Sequence, residues 1–122
     1  FLFLSDEENG SDGEAFLSHV KARGLGTIVG VPSWGGLVGI INTQHTLDGG
    51  RVEQSNNAFY GREGKWWVEN HGVDPDLTVE NDPASLIQGQ DRQLEVGIGT
   101  LLKQLQEHPT PAFPPVPAYP KR

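Results

Sequence analysis

The spacing of apolar positions changes along the chain, and each change marks an element. Phe1-Leu2-Phe3-Leu4 is a short continuous apolar run, the pattern of a buried strand, and Ser5 to Gly10 then has turn and charge composition. Ala15, Phe16, His19 and Val20 recur at helical spacing and predict a helix starting at Ser11 or just after it. Serine followed three residues later by Glu14 is the capping-box pattern, and Arg23-Gly24 supplies a cation and a terminating glycine. Thr27-Ile28-Val29-Gly30-Val31 predicts a second buried strand, parallel to the first, so that the opening of the chain reads as a βαβ unit. Ser33 to Ile40 carries Gly35, Gly36 and Gly39, more backbone freedom than a packed strand accepts, and predicts a loop that approaches something closely.

Residues 45 to 80 alternate short β-like runs with turns and predict small antiparallel pairs, with Trp66-Trp67-Val68 as a strand carrying Glu69 to its end. Leu77-Thr78-Val79 adds one more strand, and Asp82-Pro83 is an N-cap with proline at the first helical position. A last helix is expected from about Asp91 to Glu107, with Leu94, Ile98, Leu101 and Leu105 on its apolar face and Gly97 and Gly99 weakening it. From Pro109 the proline density excludes a helix and predicts an extended polyproline arm, serving as a linker, a ligand for a partner's groove or a strap across a neighbouring subunit.

Composition narrows the function classes. A chain of 122 residues with 35% hydrophobic content holds one domain at most. It starts at Phe1 and contains no methionine, which suggests truncation at the N-terminus. The opening apolar run is too short for a signal peptide or a membrane span. With no cysteine there are no disulfides and no thiolate chemistry, and the redox compartment stays open. A net charge of -7 with scattered cations argues against nucleic acid as a partner.

Asn9-Gly10-Ser11-Asp12-Gly13 is the first candidate site, because it lies where a strand turns into a helix. A serine there has flanking glycines for a tight turn, and free N–H groups of the first helical turn beside it to hold an oxyanion, the N–H of Asp12 above all. Spacing alone favours Ser11 as no more than an N-cap. Glu69, behind an apolar run, requires a specific partner or is a structural carboxylate bonded to a loop. Among the histidines, His19, His45, His71 and His108 read as surface or packing residues, and their spacing fails the zinc-protease pattern, so no metal and no cofactor are expected. Gly24-Leu25-Gly26-Thr27-Ile28-Val29-Gly30 imitates a dinucleotide fingerprint but runs from helix to strand, the reverse of the required order.

Several longer motifs occur together: Asn9 to Phe16, Gly24-Leu25-Gly26, Trp34-Gly35-Gly36 with Gly39-Ile40, Val68 to Asp76, and Gly89 to Leu94. Together they resemble the C-terminal part of the catalytic core of tricorn-type proteases, within the carboxy-terminal-processing serine peptidases. The resemblance implies that Ser11 is the nucleophile, that the Asp12 N–H belongs to the oxyanion hole, and that Glu69 completes a tetrad through a second serine that orients the histidine base. It places that histidine, its serine and a second oxyanion donor upstream, outside this chain. Gly35, Gly36 and Ile40 resemble the loop beside the substrate cleft, where exposed backbone pairs with an extended peptide.

The fold expected is α/β, the C-terminal portion of a crotonase-like or Clp-protease-like core over residues 1–108, with a small antiparallel excursion, a C-terminal helix and a proline-rich tail over 109–122. The function implied is serine endopeptidase activity in the intact protein, with this chain by itself inactive. Expected partners are a peptide substrate, the upstream part of the same catalytic domain and further copies in a homo-oligomer, with no nucleic acid and no membrane. The resemblance points to the cytoplasm, or to export as in some bacterial relatives. The competing class is a non-catalytic peptide-binding or structural module, and acyl-CoA chemistry on the same architecture is a third.

Overall fold

A computed structural model describes residues 1–40, 42–109 and 111–120. Strand β1 (Leu2–Ser5) leads through helix α1 (Asp12–Arg23) to strand β2 (Thr27–Gly30), and the two strands pair in parallel, Leu2 with Thr27 through Ser5 with Gly30. A short strand, β5 (Leu77–Thr78), joins the other side of β2, also in parallel. The expected βαβ unit is therefore present, and β2 is central in the order β1-β2-β5. Ile28 and Val29 are fully buried, which is why this strand is continuously apolar rather than alternating.

Strand alternation places the layers. On β1, Phe3 meets Phe16 of α1 edge to face at 5.5 Å, whereas Leu2 and Leu4 reach the other face, towards helix α3 (Arg92–Glu107). One helix thus lies on each side of β1. Leu17 and Val20 of α1, Ile28, Leu37, Val68 and Val73 form the core, with Phe3, Ala15 and Trp67 against it. The Asp76 carboxylate ties the edge of β2, accepting the N–H of Ile28 at 2.8 Å while its own N–H donates to the Ile28 carbonyl.

Several expectations need correction. The opening strand begins at Leu2, and Phe1 and Leu4 are exposed because β1 is the edge strand. On α1 the buried positions are Glu14, Leu17, Ser18 and Val20, while Phe16 and His19 are exposed. The expected apolar stripe of α3 is also outward: Leu94, Ile98 and Leu105 are about half exposed, and the buried positions are Gln93 and Gly97. A helix settles where its backbone comes closest, and Gly97 allows that approach: a Cβ there would lie 3.1 Å from Leu2 Cδ2 and 3.4 Å from Leu4 Cδ2. Gly97 costs helix propensity and gains contact with β1.

Between β2 and β5, strands β3 (Asn42–His45) and β4 (Arg51–Gln54) form an antiparallel hairpin, so His45 closes a strand rather than sitting in a loop. The other small pairs reduce to single bridges, Gly39 with Asn57 and Tyr60 with Trp66, and Trp66-Trp67-Val68 is not a strand. The proline-initiated helix forms as α2 (Pro83–Ile87), capped by Asp82, and Asp91 caps α3. Pro109 and residues 111–120 form neither helix nor strand and are exposed.

Two outcomes follow. Gly99 has open space around its Cβ position, so Gly99→Ala raises stability by about 0.5–1 kcal/mol. Gly97→Leu drives α3 off β1 and lowers stability by about 1–3 kcal/mol; urea titration of both variants reads the contrast.

The Ser85 hydroxyl and then its N–H hold the Asp82 carboxyl below its ordinary value of 3.8, and the Leu94 N–H and then the Asn81 side chain do the same for Asp91. A lowered folded value stabilises above the unfolded value, and the contribution is lost as pH falls through the folded one. Replacing both caps by asparagine therefore flattens the decline of Tm on acidification below about pH 4.

Candidate functional site

The carboxyl ends of β1 and β2 lie side by side, the position at which parallel α/β sheets open a crevice. Beyond β1, the Asp6 side chain accepts the N–H groups of Glu8 and Asn9 at 3.1 and 3.0 Å and turns the chain back on itself. The next turn, Gly10 to Gly13, is closed by the Gly13 N–H donating to the Gly10 carbonyl at 3.0 Å. Ser11 sits in it at φ 52° and ψ -118°, the first central position of a type II′ turn, where glycine is usual. Holding a non-glycine residue there costs about 1–3 kcal/mol and needs support from its surroundings.

This geometry changes the reading of the capping box. The capping-box arrangement of Ser11 and Glu14 is present, with Glu14 Oε2 accepting the Ser11 N–H at 3.2 Å, but the Ser11 side chain makes no full cap hydrogen bond. An N-cap serine ordinarily has extended angles, from which φ 52° and ψ -118° depart. The hydroxyl is left exposed at the crevice, and the Asp12 N–H beside it has no acceptor among the described residues.

Glu14 was legible in the sequence only as a cap residue, yet it is completely buried. Its Oε1 accepts the Ser33 hydroxyl at 2.7 Å and the Gly35 N–H at 2.5 Å; its Oε2 accepts the Gly36 N–H at 2.9 Å beside that of Ser11. The Ser33 hydroxyl in turn accepts the Val73 N–H at 2.8 Å, so it receives from Val73 and donates to the carboxylate of Glu14. Glu69 continues the pattern, with Oε2 accepting the N–H groups of both Leu37 and Val38 at 2.9 Å. Two carboxylates thus hold the N–H groups of residues 35 to 38 in succession.

Glu69 lies in the turn Val68–Gly72 rather than at a strand end, with the Gly72 N–H on the Val68 carbonyl at 2.8 Å and Asn70 at φ 66°. That turn packs backbone to backbone on the glycine loop: the Asn70 N–H donates to the Gly35 carbonyl at 2.8 Å. A Cβ at Gly35 would lie 2.8 Å from the His71 nitrogen, and one at Gly72 would lie 2.1 Å from the Ser33 carbonyl oxygen. With both glycines at positive φ, the close approach explains them better than flexibility does.

Ser11, Gly35, Gly36, Ile40 and Glu69 all border one cleft of about 590 Å³, and Trp34, Val38, Ser55 and Asn70 complete it. Asp12 adjoins the cleft only through its place in the turn. The N–H groups of residues 35 to 39 are consumed internally, Gly39 donating to the Asn57 carbonyl, so they are not groups free for an extended peptide. Sequence reasoning missed Trp34 as a wall: its ring covers Gly10 and Gly36, where a Cβ would come within 2.8 and 2.2 Å of it. None of the described histidines borders the cleft. His19 packs edge to face on Trp67, and His71 bonds the Trp67 carbonyl through Nε2.

Known proteins resemble this chain in sequence and fold. Residues 1–79 match the family model of Peptidase family S41. The chain is 40% identical over 114 residues to Tricorn protease homolog 1 of Streptomyces coelicolor, covering 93% of this chain and 11% of that protein. It is 38% identical over 105 residues to Tricorn protease of Thermoplasma acidophilum, covering 86% and 10%. A crystal structure of the tricorn protease superposes with a TM-score of 0.79 at 37% identity, over 86% of this chain and 10% of that one. The chain spans about a tenth of the length of these relatives.

Gly72→Ala places a methyl group against the Ser33 carbonyl at a positive φ. It lowers stability by about 1–3 kcal/mol, read by thermal unfolding, whereas Gly64→Ala, with positive φ but open space, costs less.

Proposed function

Because this chain belongs to peptidase family S41, we propose that it supplies the nucleophile of a tricorn-type serine endopeptidase and works as part of a longer protein. The observation that carries this reading is the turn at Ser11. A strained strand-to-helix turn is the device that lifts a nucleophilic serine out of its helix, and here it leaves Ser11 exposed at the cleft with no full cap hydrogen bond, beside an Asp12 N–H that has no acceptor among the described residues.

In the mechanism, Ser11 Oγ attacks the carbonyl carbon of the scissile peptide bond and a histidine outside this chain takes its proton. The carbonyl oxygen gains negative charge and receives a hydrogen bond from the Asp12 N–H, with a second donor from outside the chain. The histidine returns the proton to the leaving amine, and water then hydrolyses the acyl ester on Ser11. Glu69 uses one oxygen for the loop and has Oε1 free of hydrogen bonds among the described residues, which suits it to orient the base through a second serine. With the loop N–H groups spent, the substrate's own N–H groups pair with loop carbonyls along Gly36 to Val38, where Ile40 and Trp34 supply apolar contact.

Residues 1–108 then form the C-terminal part of a crotonase-like catalytic domain, followed by the proline-rich tail as a separate arm. The isolated chain is inactive, because loss of the base costs several orders of magnitude even where oxyanion donors remain. The intact protein acts on peptides in the cytoplasm as a homo-oligomer; among the described residues no helix is long and apolar enough to cross a membrane. That no described histidine borders the cleft also suits a peptide-binding module that cleaves nothing, and the test separates the two.

In the full-length protein, Ser11→Ala is expected to lower kcat on fluorogenic peptides by about 10⁴-fold or more, and to abolish labelling by a fluorophosphonate, with the fold intact. Glu69→Gln is expected to lower kcat by about 10- to 10³-fold, a smaller loss because it acts through other groups. Peptide binding without cleavage or labelling in the parent protein would favour the non-catalytic module.

A further inference from the structure

We infer that Glu14 is a positioning residue for the nucleophile: its buried carboxylate holds the turn at Ser11 and the cleft wall at Gly35 and Gly36 in one fixed geometry. The inference rests on the reading of Ser11 as the attacking group.

The bonding scheme leaves Glu14 no slack. Each oxygen accepts two donors, Ser33 Oγ and the Gly35 N–H on Oε1, the Gly36 and Ser11 N–H groups on Oε2. All four groups are donors, so an acceptor is needed at both oxygens. The four donors also come from separate pieces of chain, with Ser11 following β1 and Ser33, Gly35 and Gly36 following β2. No other side chain joins the Ser11 turn to the glycine loop by hydrogen bonds among the described residues; the one further link is the Trp34 N–H on the Asn9 carbonyl at 3.0 Å. Glu14 is one helical turn from Ser11 and rigidly placed by α1, so its position is dictated by the helix that Ser11 opens.

Two consequences bear on catalysis. The Ser11 N–H on Glu14 Oε2 ties the strained turn to the same carboxylate that holds the cleft wall, so the turn and the wall shift together or not at all. It also reserves the oxyanion role for the next N–H, that of Asp12, since the Ser11 N–H is already engaged. Anchoring Gly35 and Gly36 to the same carboxylate fixes the distance between the attacking oxygen and the wall that aligns the peptide. A displacement near 1 Å at such a site costs about 10²-fold in rate.

The experiment uses the full-length protein with Glu14→Gln. The amide keeps size and one acceptor oxygen, but its NH₂ group opposes fixed backbone donors, the Gly35 N–H on one side or the Gly36 and Ser11 N–H groups on the other, so at least one of these is released. For the folded fraction, counted by native mass and unfolding signal, kcat is expected to fall about 10- to 100-fold, and fluorophosphonate labelling of Ser11 to slow in parallel. KM is expected to change less than kcat. Should Glu14→Gln not fold, Ser33→Ala removes a single donor from Oε1, and a smaller fall in kcat of the same kind, about 3- to 10-fold, is expected.

A lower Tm with unchanged kcat and labelling rate in the folded fraction would make Glu14 a fold residue only and overturn the inference, as would Ser33→Ala at the parent rate if that variant has to stand in. Ser11→Ala is run beside them. If it retains activity, the assignment of the nucleophile fails and the inference falls with it. If it is inactive while the Glu14 variant matches the parent, only the inference falls.

Discussion

A single buried carboxylate, that of Glu14, joins the two segments that make the cleft. It takes donors from the turn after β1 and from the loop after β2, and it is wholly removed from water. A hydrogen bond to a charged group contributes about 1.5–3 kcal/mol, as much as burying a core residue such as Val20 or Ile28. Glu14 gathers four such bonds from two segments, so its bonding requirement constrains the shape of the site directly.

The strain at Ser11 follows from the same arrangement. A non-glycine residue at φ 52° is tolerated because its N–H is held from the helix below and its neighbour Asn9 is held by the Trp34 N–H. Glu69 repeats the device on the next two N–H groups of the loop, so that residues 35 to 38 are fixed by side chains rather than by a sheet. A glycine-rich stretch is usually read as mobile. Here the absence of side chains lets the turn around Asn70 and the Trp34 ring lie directly on the backbone, and the carboxylates then lock it.

The layered sheet accounts for where all this happens. Alternation on β1 sends Phe3 towards α1 and Leu2 and Leu4 towards α3, so a helix lies on each side of the strand, and the turn that follows its carboxyl end carries Ser11 to the cleft. Gly97 brings α3 close enough to β1 for this, and in doing so it turns the more regular stripe of Leu94, Ile98 and Leu105 outward.

The sequence by itself determined the βαβ order, the parallel pairing and the cap at Asp82, and it nominated Ser11, Asp12, Glu69, Gly35, Gly36 and Ile40 as candidates, because each depends on local composition or on motifs with contiguous residues. It also carried the family, since those motifs are long. What only the tertiary structure decided is which partner each group takes. The spacing of Ser11 and Glu14 describes a capping box whatever else the glutamate binds; donors from Ser33, Gly35 and Gly36, distant in sequence, turn that cap residue into the buried link between the two segments. The faces of α1 and α3 were misread for a related reason: periodicity gives the regularity of a stripe, but the direction it faces is set by where the neighbouring backbone can approach, and that is a property of the packed chain.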